Sequence, residues 1–295
     1  MKIKKLFDKM NLVYSFEIFP PKVDSPIEKV YKAIERLSSL NPDYISVTYG
    51  AGGSTQDNRT TKLSSLIKNR HKIESLAHLT CIGAKKENID NILKELKENN
   101  IENILALRGD IPNTGLGISD FDNSQKLIRY IKEKGGFGIA AACYPEGHIE
   151  TREKDKDIEV LKLKEEAGAD YFITQLFYDN NYLYDFLNKV EQKGIKAPVQ
   201  AGVMPVINKV QIERTVSLCG VTLPNKFIKI INKYEHDKTA LRDAGIAYAT
   251  EQIVDLISSG IKGIHLYTMN NPYIANTITR SIESLIESIN KENVI

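Results

Sequence analysis

The chain has 295 residues with 40 basic against 38 acidic side chains, a formal charge of +2 that leaves no electrostatic footprint for a phosphate backbone and argues against nucleic-acid binding. Its three cysteines, Cys81, Cys143 and Cys219, are odd in number and lack CxxC spacing, which speaks against a disulfide framework or a cysteine-only metal site. The aliphatic run from Ile139 to Cys143 falls far short of the roughly 20 residues a bilayer span needs, and the N-terminus lacks the apolar core and cleavage site of a secretory signal, so a soluble, cytoplasmic protein is expected.

In chain order, short β-branched or aromatic runs begin near Tyr14, Tyr44, Leu76, Ile104, Ile139, Tyr171, Val199 and Ile264, each bounded by Gly, Pro, Asn or charged residues. The segments between them have helical period. Ile89, Ile92, Leu93 and Leu96 follow i, i+3, i+4, i+7, and Tyr182, Phe186 and Val190 follow i, i+4, i+8, so each helix has one apolar stripe to lay on a sheet. Four helix ends enter their next strand through similar turns, at Asn41, Asn100, Gly168 and Gly260, where Asn or Gly suits a left-handed residue. The last interval, residues 207–259, is about twice as long as the others and holds more than one helix, with Pro224 marking a break. Eight strand–helix units with right-handed crossovers can close and remove the exposed edges of an open, doubly wound sheet, the competing fold. The expected architecture is therefore α/β, a single (β/α)8 barrel domain over residues 1–295 with an extra helical segment between strands 7 and 8; such barrels run to roughly 250 residues.

In a barrel the site lies at the C-terminal ends of the strands, so polar residues there carry most weight. On strand 1, alternation puts Ser15, Glu17 and Phe19 on one face and Phe16 and Ile18 on the other; Phe16 and Ile18 suit the layer under the helices, which points Glu17 into the barrel mouth. Desolvation there is expected to raise its pKa and make it a proton donor, the alternative being a carboxylate held by a structural cation. Strand 2 runs into the Gly-rich stretch Thr48-Tyr-Gly-Ala-Gly-Gly-Ser54, either an anion- or carbonyl-binding loop or a plain connection. His78 lies within strand 3, and Tyr144 and His148 follow strand 5; none has metal-ligand spacing with a third ligand nearby, so no metal is expected. Leu107-Arg-Gly-Asp110 ends strand 4, either a ligand-facing charge pair around a bare Gly109 or an ordinary Arg–Asp turn. Asp157 and Lys164 share a helix face two turns apart, and Gln175 with Phe177 and Tyr178 ends strand 6, an amide among aromatic faces that core packing explains equally well for Phe177.

Taken in order, Ser15-Phe-Glu-Ile-Phe-Pro-Pro21, Ser46-Val-Thr-Tyr-Gly-Ala51, His78-Leu-Thr-Cys81, Leu107-Arg-Gly-Asp110, Ala142-Cys-Tyr-Pro-Glu-Gly-His148 and Ile173-Thr-Gln175 resemble the methylenetetrahydrofolate reductases of the bacterial type, over about residues 13–270. The resemblance implies an FAD-bearing catalytic barrel, without a regulatory region of the eukaryotic kind. In such a barrel NADH or NADPH reduces the flavin and leaves, and methylene-tetrahydrofolate then takes the hydride to become methyl-tetrahydrofolate, a step of one-carbon metabolism toward methionine. It implies that Glu17 is the general acid that protonates the folate as its five-membered ring opens to an iminium cation, that Asp110 stabilises that cation beside the flavin, and that Gln175 contacts folate or nicotinamide in turn. It further implies that Thr48, Tyr49, Ala51, His78, Arg108, Gly109, Asp110, Ser124, Tyr144, His148, Asp157 and Lys164 line FAD and that Tyr267 lies on the substrate side. Homo-oligomers are implied, and some anaerobic relatives rely on an iron–sulfur partner subunit. Two positions depart from the familiar pattern: Lys209 replaces an aromatic residue, and Asn271 replaces an arginine.

Two other functions fit the same strand ends. A flavin-free lyase or aldolase could use Glu17 and Asp110 as an acid–base pair, and a non-catalytic binding barrel could keep the fold and charges alone.

Overall fold

The computed structural model describes residues 1–21, 25–49, 58–110, 119–150 and 154–291. Eight parallel strands close into a barrel in sequence order: β1 Val13–Ile18, β2 Tyr44–Val47, β3 Glu74–Thr80, β4 Asn103–Leu107, β5 Gly138–Cys143, β6 Tyr171–Thr174, β7 Val199–Val203 and β8 Gly263–Tyr267. Each strand begins within two residues of its expected position. Helices α2 Glu28–Ser38, α3 Arg59–Ser65 with a π turn at Leu66–Arg70, α4 Lys86–Glu98, α5 Ser124–Lys134, α6 Lys154–Ala167 and α7 Asn180–Gln192 fill the first six crossovers. The long interval after β7 holds three helices, α8 Lys209–Cys219, α9 Asn225–Tyr234 and α10 Lys238–Ser258, with Pro224 immediately before α9. The last helix, α11 Pro272–Lys291, follows β8.

Alternation sorts the strand residues as expected. Phe16 and Ile18 are fully buried in the layer shared with the helices, where Val30, Ile34, Leu37, Ile278 and Ile282 meet them in one cluster. The four helix-to-strand turns are left-handed, with φ of 51° at Asn41, 62° at Asn100, 115° at Gly168 and 82° at Gly260. A short helix that sequence periodicity did not reveal, α1 Lys4–Lys9, closes the N-terminal end of the barrel. Ile3, Leu6, Phe7 and Met10 pack on the lowest interior layer of Val13, Tyr44, Leu76, Leu105 and Tyr171, and the Phe7 and Tyr171 rings lie 5.0 Å apart. Asn103 locks this plug by accepting the Ile3 amide at 2.8 Å and donating to the Met1 carbonyl at 3.0 Å.

Two aspartates repeat one device half a barrel apart. Asp43 accepts the Tyr14 amide at 2.7 Å while its own amide bonds the Tyr14 carbonyl, and Asp170 does the same to Ile139 with a 2.8 Å side-chain bond. Burial pushes the Asp43 carboxyl up to about 6, against the Tyr14 amide, which pulls it down. The folded chain therefore holds this proton where the unfolded chain has released it, so the contribution is complete below the ordinary carboxylate pKa and is lost as pH rises through about 6. Asp43→Asn, which cannot ionise, is expected to gain roughly 1–3 kcal/mol relative to the parent between pH 4 and pH 7.5. Urea titrations at both pH values check this, and a difference independent of pH would contradict it.

Candidate active site

At the C-terminal end of the barrel a cavity of about 600 Å³ opens between the strand ends. Its floor is Glu17, which the barrel register places beside Ser46 of β2 on one side and Tyr267 of β8 on the other. The Glu17 carboxylate is 19% exposed; His78 Nε2 from β3 and His265 Nε2 from β8 each lie 3.5 Å from its Oε2, and the Ser46 hydroxyl donates to it at 3.5 Å. The expected rise in its pKa does not occur. Burial does push the carboxyl up, but the hydrogen bond from His265, the two neighbouring imidazoles and the Ser46 hydroxyl together hold it below its ordinary value. His78 is itself driven down to about 4 by burial, so near neutral pH it faces Glu17 uncharged, and its buried Nε2 has no hydrogen-bond partner.

The walls gather most of the residues singled out in the sequence. Thr48 and Tyr49 line the β2 end, Arg108, Gly109 and Asp110 the β4 end, Tyr144 and His148 the β5 end, Gln175 the β6 end and Tyr267 the β8 end. Gly109 has φ +88°, and a Cβ there would fall 3.0 Å from that of Thr80, so the bare backbone at this wall is a steric requirement. The Arg108 guanidinium does not pair with Asp110. It makes a bidentate bond to Glu150, 2.7 Å to each oxygen, bridging the β4 and β5 loops, while Asp110 is exposed at the mouth. Asp157 stands behind the wall and accepts the His148 amide at 2.5 Å. Lys164 is buried, donates to the carbonyl of the cavity residue Ala142 at 2.7 Å, and is pushed down to about 8 by burial, although the Cys143 thiol and Asp157 act the other way.

Ser124 is the first residue of α5 and does not line the cavity; Asn123 caps that helix by accepting the Lys126 amide. Ala51 and the rest of the Gly-rich stretch, residues 50–54, lie outside the described residues. Phe177 is fully buried in the main core, so packing accounts for it. Both departing positions have structural partners: Lys209 bonds Glu235 at 2.5 Å, and Asn271 caps α11 by accepting the Tyr273 amide at 3.1 Å.

Sequence inspection missed His265, Ser46, Gln200 and Glu150. His265 shares the inward face of β8 with Tyr267, and Ser46 shares that of β2 with Thr48, so alternation carried a signal for both. Strand β7 reaches the cavity with no side chain. At Gly202 the Tyr267 ring crosses over the strand and its hydroxyl donates to the Thr174 carbonyl at 2.7 Å.

A closed (β/α)8 barrel with a carboxylate, two imidazoles and a guanidinium converging on one cavity at its C-terminal face belongs to the class of barrel enzymes. The family model for methylenetetrahydrofolate reductase matches residues 2–283, and the chain belongs to that family. It is 35% identical over 268 residues to the 5,10-methylenetetrahydrofolate reductase of Pectobacterium carotovorum subsp. carotovorum, covering 91% of this chain and 89% of that protein. It is also 35% identical over 284 residues to methylenetetrahydrofolate reductase (NADH) 1 of Arabidopsis thaliana, covering 91% of this chain and 48% of the plant protein. The chain thus spans about half the length of the plant relatives it matches. A solved protein of Clostridium thermocellum, described as binding two copies of 5-methyl-5,6,7,8-tetrahydrofolic acid, aligns with a TM-score of 0.64 at 14% identity over 97% of this chain and 100% of its own, a likeness of fold.

The crossing at Gly202 is testable. A Cβ there would sit 2.4 Å from the Thr174 carbonyl oxygen and 2.7 Å from the Tyr267 hydroxyl. Gly202→Ala is expected to break that hydrogen bond, displace the ring and cost about 1–3 kcal/mol in denaturant titration; an unchanged midpoint would mean the ring has another place to go.

Proposed function

We propose that the chain reduces methylene-tetrahydrofolate to methyl-tetrahydrofolate through FAD in two alternating half-reactions, with NADH or NADPH as donor. Membership of the family supports folate reduction, and the name of the plant relative supports NADH. The observation that carries the proposal is the inward carboxylate of Glu17 on the floor of a cavity whose wall holds Arg108, with the Lys164 ammonium buried behind it on the Ala142 carbonyl.

The residues present fit FAD. The orphaned Nε2 of buried His78, the bare backbone at Gly109 and the buried ammonium of Lys164 offer a hydrogen-bond partner, a flat approach and a positive charge. Thr48, Tyr49, Ala51, His78, Arg108, Gly109, Tyr144, His148, Asp157 and Lys164 would hold it, and when bound it supplies a hydride acceptor and donor. Ser124 has no such support. Asp110, exposed at the mouth, would place a negative charge beside a cationic folate, and Gln175 would donate and accept at the ring that replaces nicotinamide.

The hydrogen bonds around Glu17 favour its charged form. A ligand closing over the floor removes the remaining solvent from the carboxylate, and that desolvation drives proton uptake, so Glu17 enters the folate half-reaction as an acid. A homo-oligomer, an iron–sulfur partner subunit and a cytoplasmic setting belong to the same proposal; among the described residues no helix is long and apolar enough to cross a membrane.

Purified chain reconstituted with FAD is expected to show a flavin spectrum that NADH bleaches anaerobically, and a chain that takes up no flavin would overturn the proposal. Glu17→Gln is expected to spare flavin reduction and to slow folate reduction by about a hundredfold or more, the usual weight of a general acid. Stopped-flow measurement of the two half-reactions separates these effects, and equal losses in both would remove Glu17 from that role.

A further inference from the structure

We infer that Gln200, a fully buried residue of β7 outside the cavity, is a positioning residue that fixes the tautomer of His265 and so turns a hydrogen bond donor toward Glu17. This rests on the role proposed above for Glu17 and names what orients it.

The orientation of the Gln200 amide follows from its surroundings. Its Nε2 lies 3.0 Å from the Ile264 carbonyl and 3.3 Å from the Val13 carbonyl, and an amide oxygen placed there would face two other oxygens. The NH2 group therefore takes that side, and the Oε1 accepts the Tyr44 hydroxyl at 2.5 Å on the other. The same NH2 donates to the Ser15 hydroxyl oxygen at 2.8 Å.

The rest is determined in turn. Ser15 accepts from Gln200, and its own hydrogen has three candidate acceptors: His265 Nδ1 at 2.7 Å, the Ile264 carbonyl at 3.4 Å, which also takes a Gln200 donor, and the Tyr44 hydroxyl. The Nδ1 contact is the shortest, and an Nδ1 that donated to Ser15 instead would leave a bare Nε2 lone pair facing Glu17 Oε2 at 3.5 Å, so Nδ1 is the acceptor. A neutral imidazole with an accepting Nδ1 carries its proton on Nε2. That N–H faces the Ser46 hydroxyl at 3.2 Å and Glu17 Oε2 at 3.5 Å, and Ser46 passes its own hydrogen to Glu17. Every donor from Tyr44 onward points the same way, and the chain ends on the carboxylate. Tyr44, Gln200, Ser15 and His265 are buried without contact with water, so no solvent molecule can reverse one link. The groups facing Glu17 are His78 from β3, Ser46 and Tyr44 from β2, and His265 and Tyr267 from β8; among them His265 is the one whose donor the Gln200 amide controls.

The test is long-range 1H–15N spectroscopy of the full chain at pH 8. Its five histidines make the imidazole region tractable, and His265→Gln identifies the relevant signals by their loss. The wild-type ring is expected as the Nε2–H tautomer. Gln200→Met, which keeps volume and removes both donors, is expected to shift it toward Nδ1–H, because Ser15 can then turn its hydrogen to the vacated Ile264 carbonyl. Tyr44→Phe keeps the ring against His265 and leaves the Gln200 amide fixed by the two carbonyls, so the tautomer is expected to persist. A wild-type ring that is Nδ1–H or doubly protonated overturns the inference, and this arm needs no folded variant. Persistence of Nε2–H in Gln200→Met overturns it too, and a switch in Tyr44→Phe assigns the effect to packing and likewise overturns it. In Gln200→Met the alkaline limb of the folate half-reaction is expected to move up by about one pH unit, with flavin reduction by NADH within about twofold of the parent; an unmoved limb counts against the role. Absence of flavin would defeat the reductase proposal and leave the tautomer result standing, so the two failures are distinguishable.

Discussion

A carboxylate inside a closed parallel barrel must be satisfied by the barrel itself, because its solvation is reduced and an unpaired charge in the interior is costly. Glu17 imposes that condition on its neighbours across two strands in each direction. The register that puts Glu17 beside Ser46 and Tyr267 also puts Ser15 beside His265, and Gly202 beside His265 from the other side. The middle of the interior is polar as a consequence, with Ser15, Ser46, Gln200 and His265 all fully buried, while the layer below, plugged by α1, is built of Val13, Leu76 and Leu105 with the rings of Tyr44 and Tyr171. A one-residue slip of β1 would send Glu17 into the helix layer and bring Phe16 inside, so the outward burial of Phe16 and Ile18 helps to hold the acid in place.

What was legible in the sequence is what local chemistry decides. Strand positions follow from short β-branched and aromatic runs, and the turns at Asn41, Asn100, Gly168 and Gly260 from residues that tolerate positive φ. The side to which Glu17 points follows from alternation alone. The partners that set its charge do not, because they come from strands far away in the chain: His265 is 248 residues from Glu17 and Gln200 is 185 from Ser15. Burial of the carboxyl was therefore foreseeable and the sign of its pKa shift was not. Helix α1 escaped for another reason, since six residues are too few to establish a period.

Lys209 and Asn271 illustrate the limit of comparing residue types at single positions. Each lacks the aromatic or cationic group of the familiar pattern, yet each has its own task. Lys209 ties the start of α8 to Glu235 just beyond α9, and Asn271 accepts the free amide of Tyr273 at the start of α11. A side chain whose hydrogen-bonding capacity is spent on a helix end is poorly placed to hold a ligand as well.

Floor and rim of the cavity are held by different forces. The floor rests on buried bonds of 2.5 to 2.8 Å among Tyr44, Gln200, Ser15 and His265, whose breakage would leave unsatisfied polar atoms in the interior. The rim is joined by Arg108 and Glu150, where half of the Glu150 side chain is exposed and water can replace either partner. An enzyme that admits two different ligands to one cavity in turn needs this contrast: an acid whose position does not change from one half-reaction to the next, beneath an edge that rearranges at little cost. In the proposed reaction the discrimination between nicotinamide and folate would then lie with the mouth, at Asp110, Gln175 and the Arg108–Glu150 bridge, and proton transfer with a floor that stays the same for both.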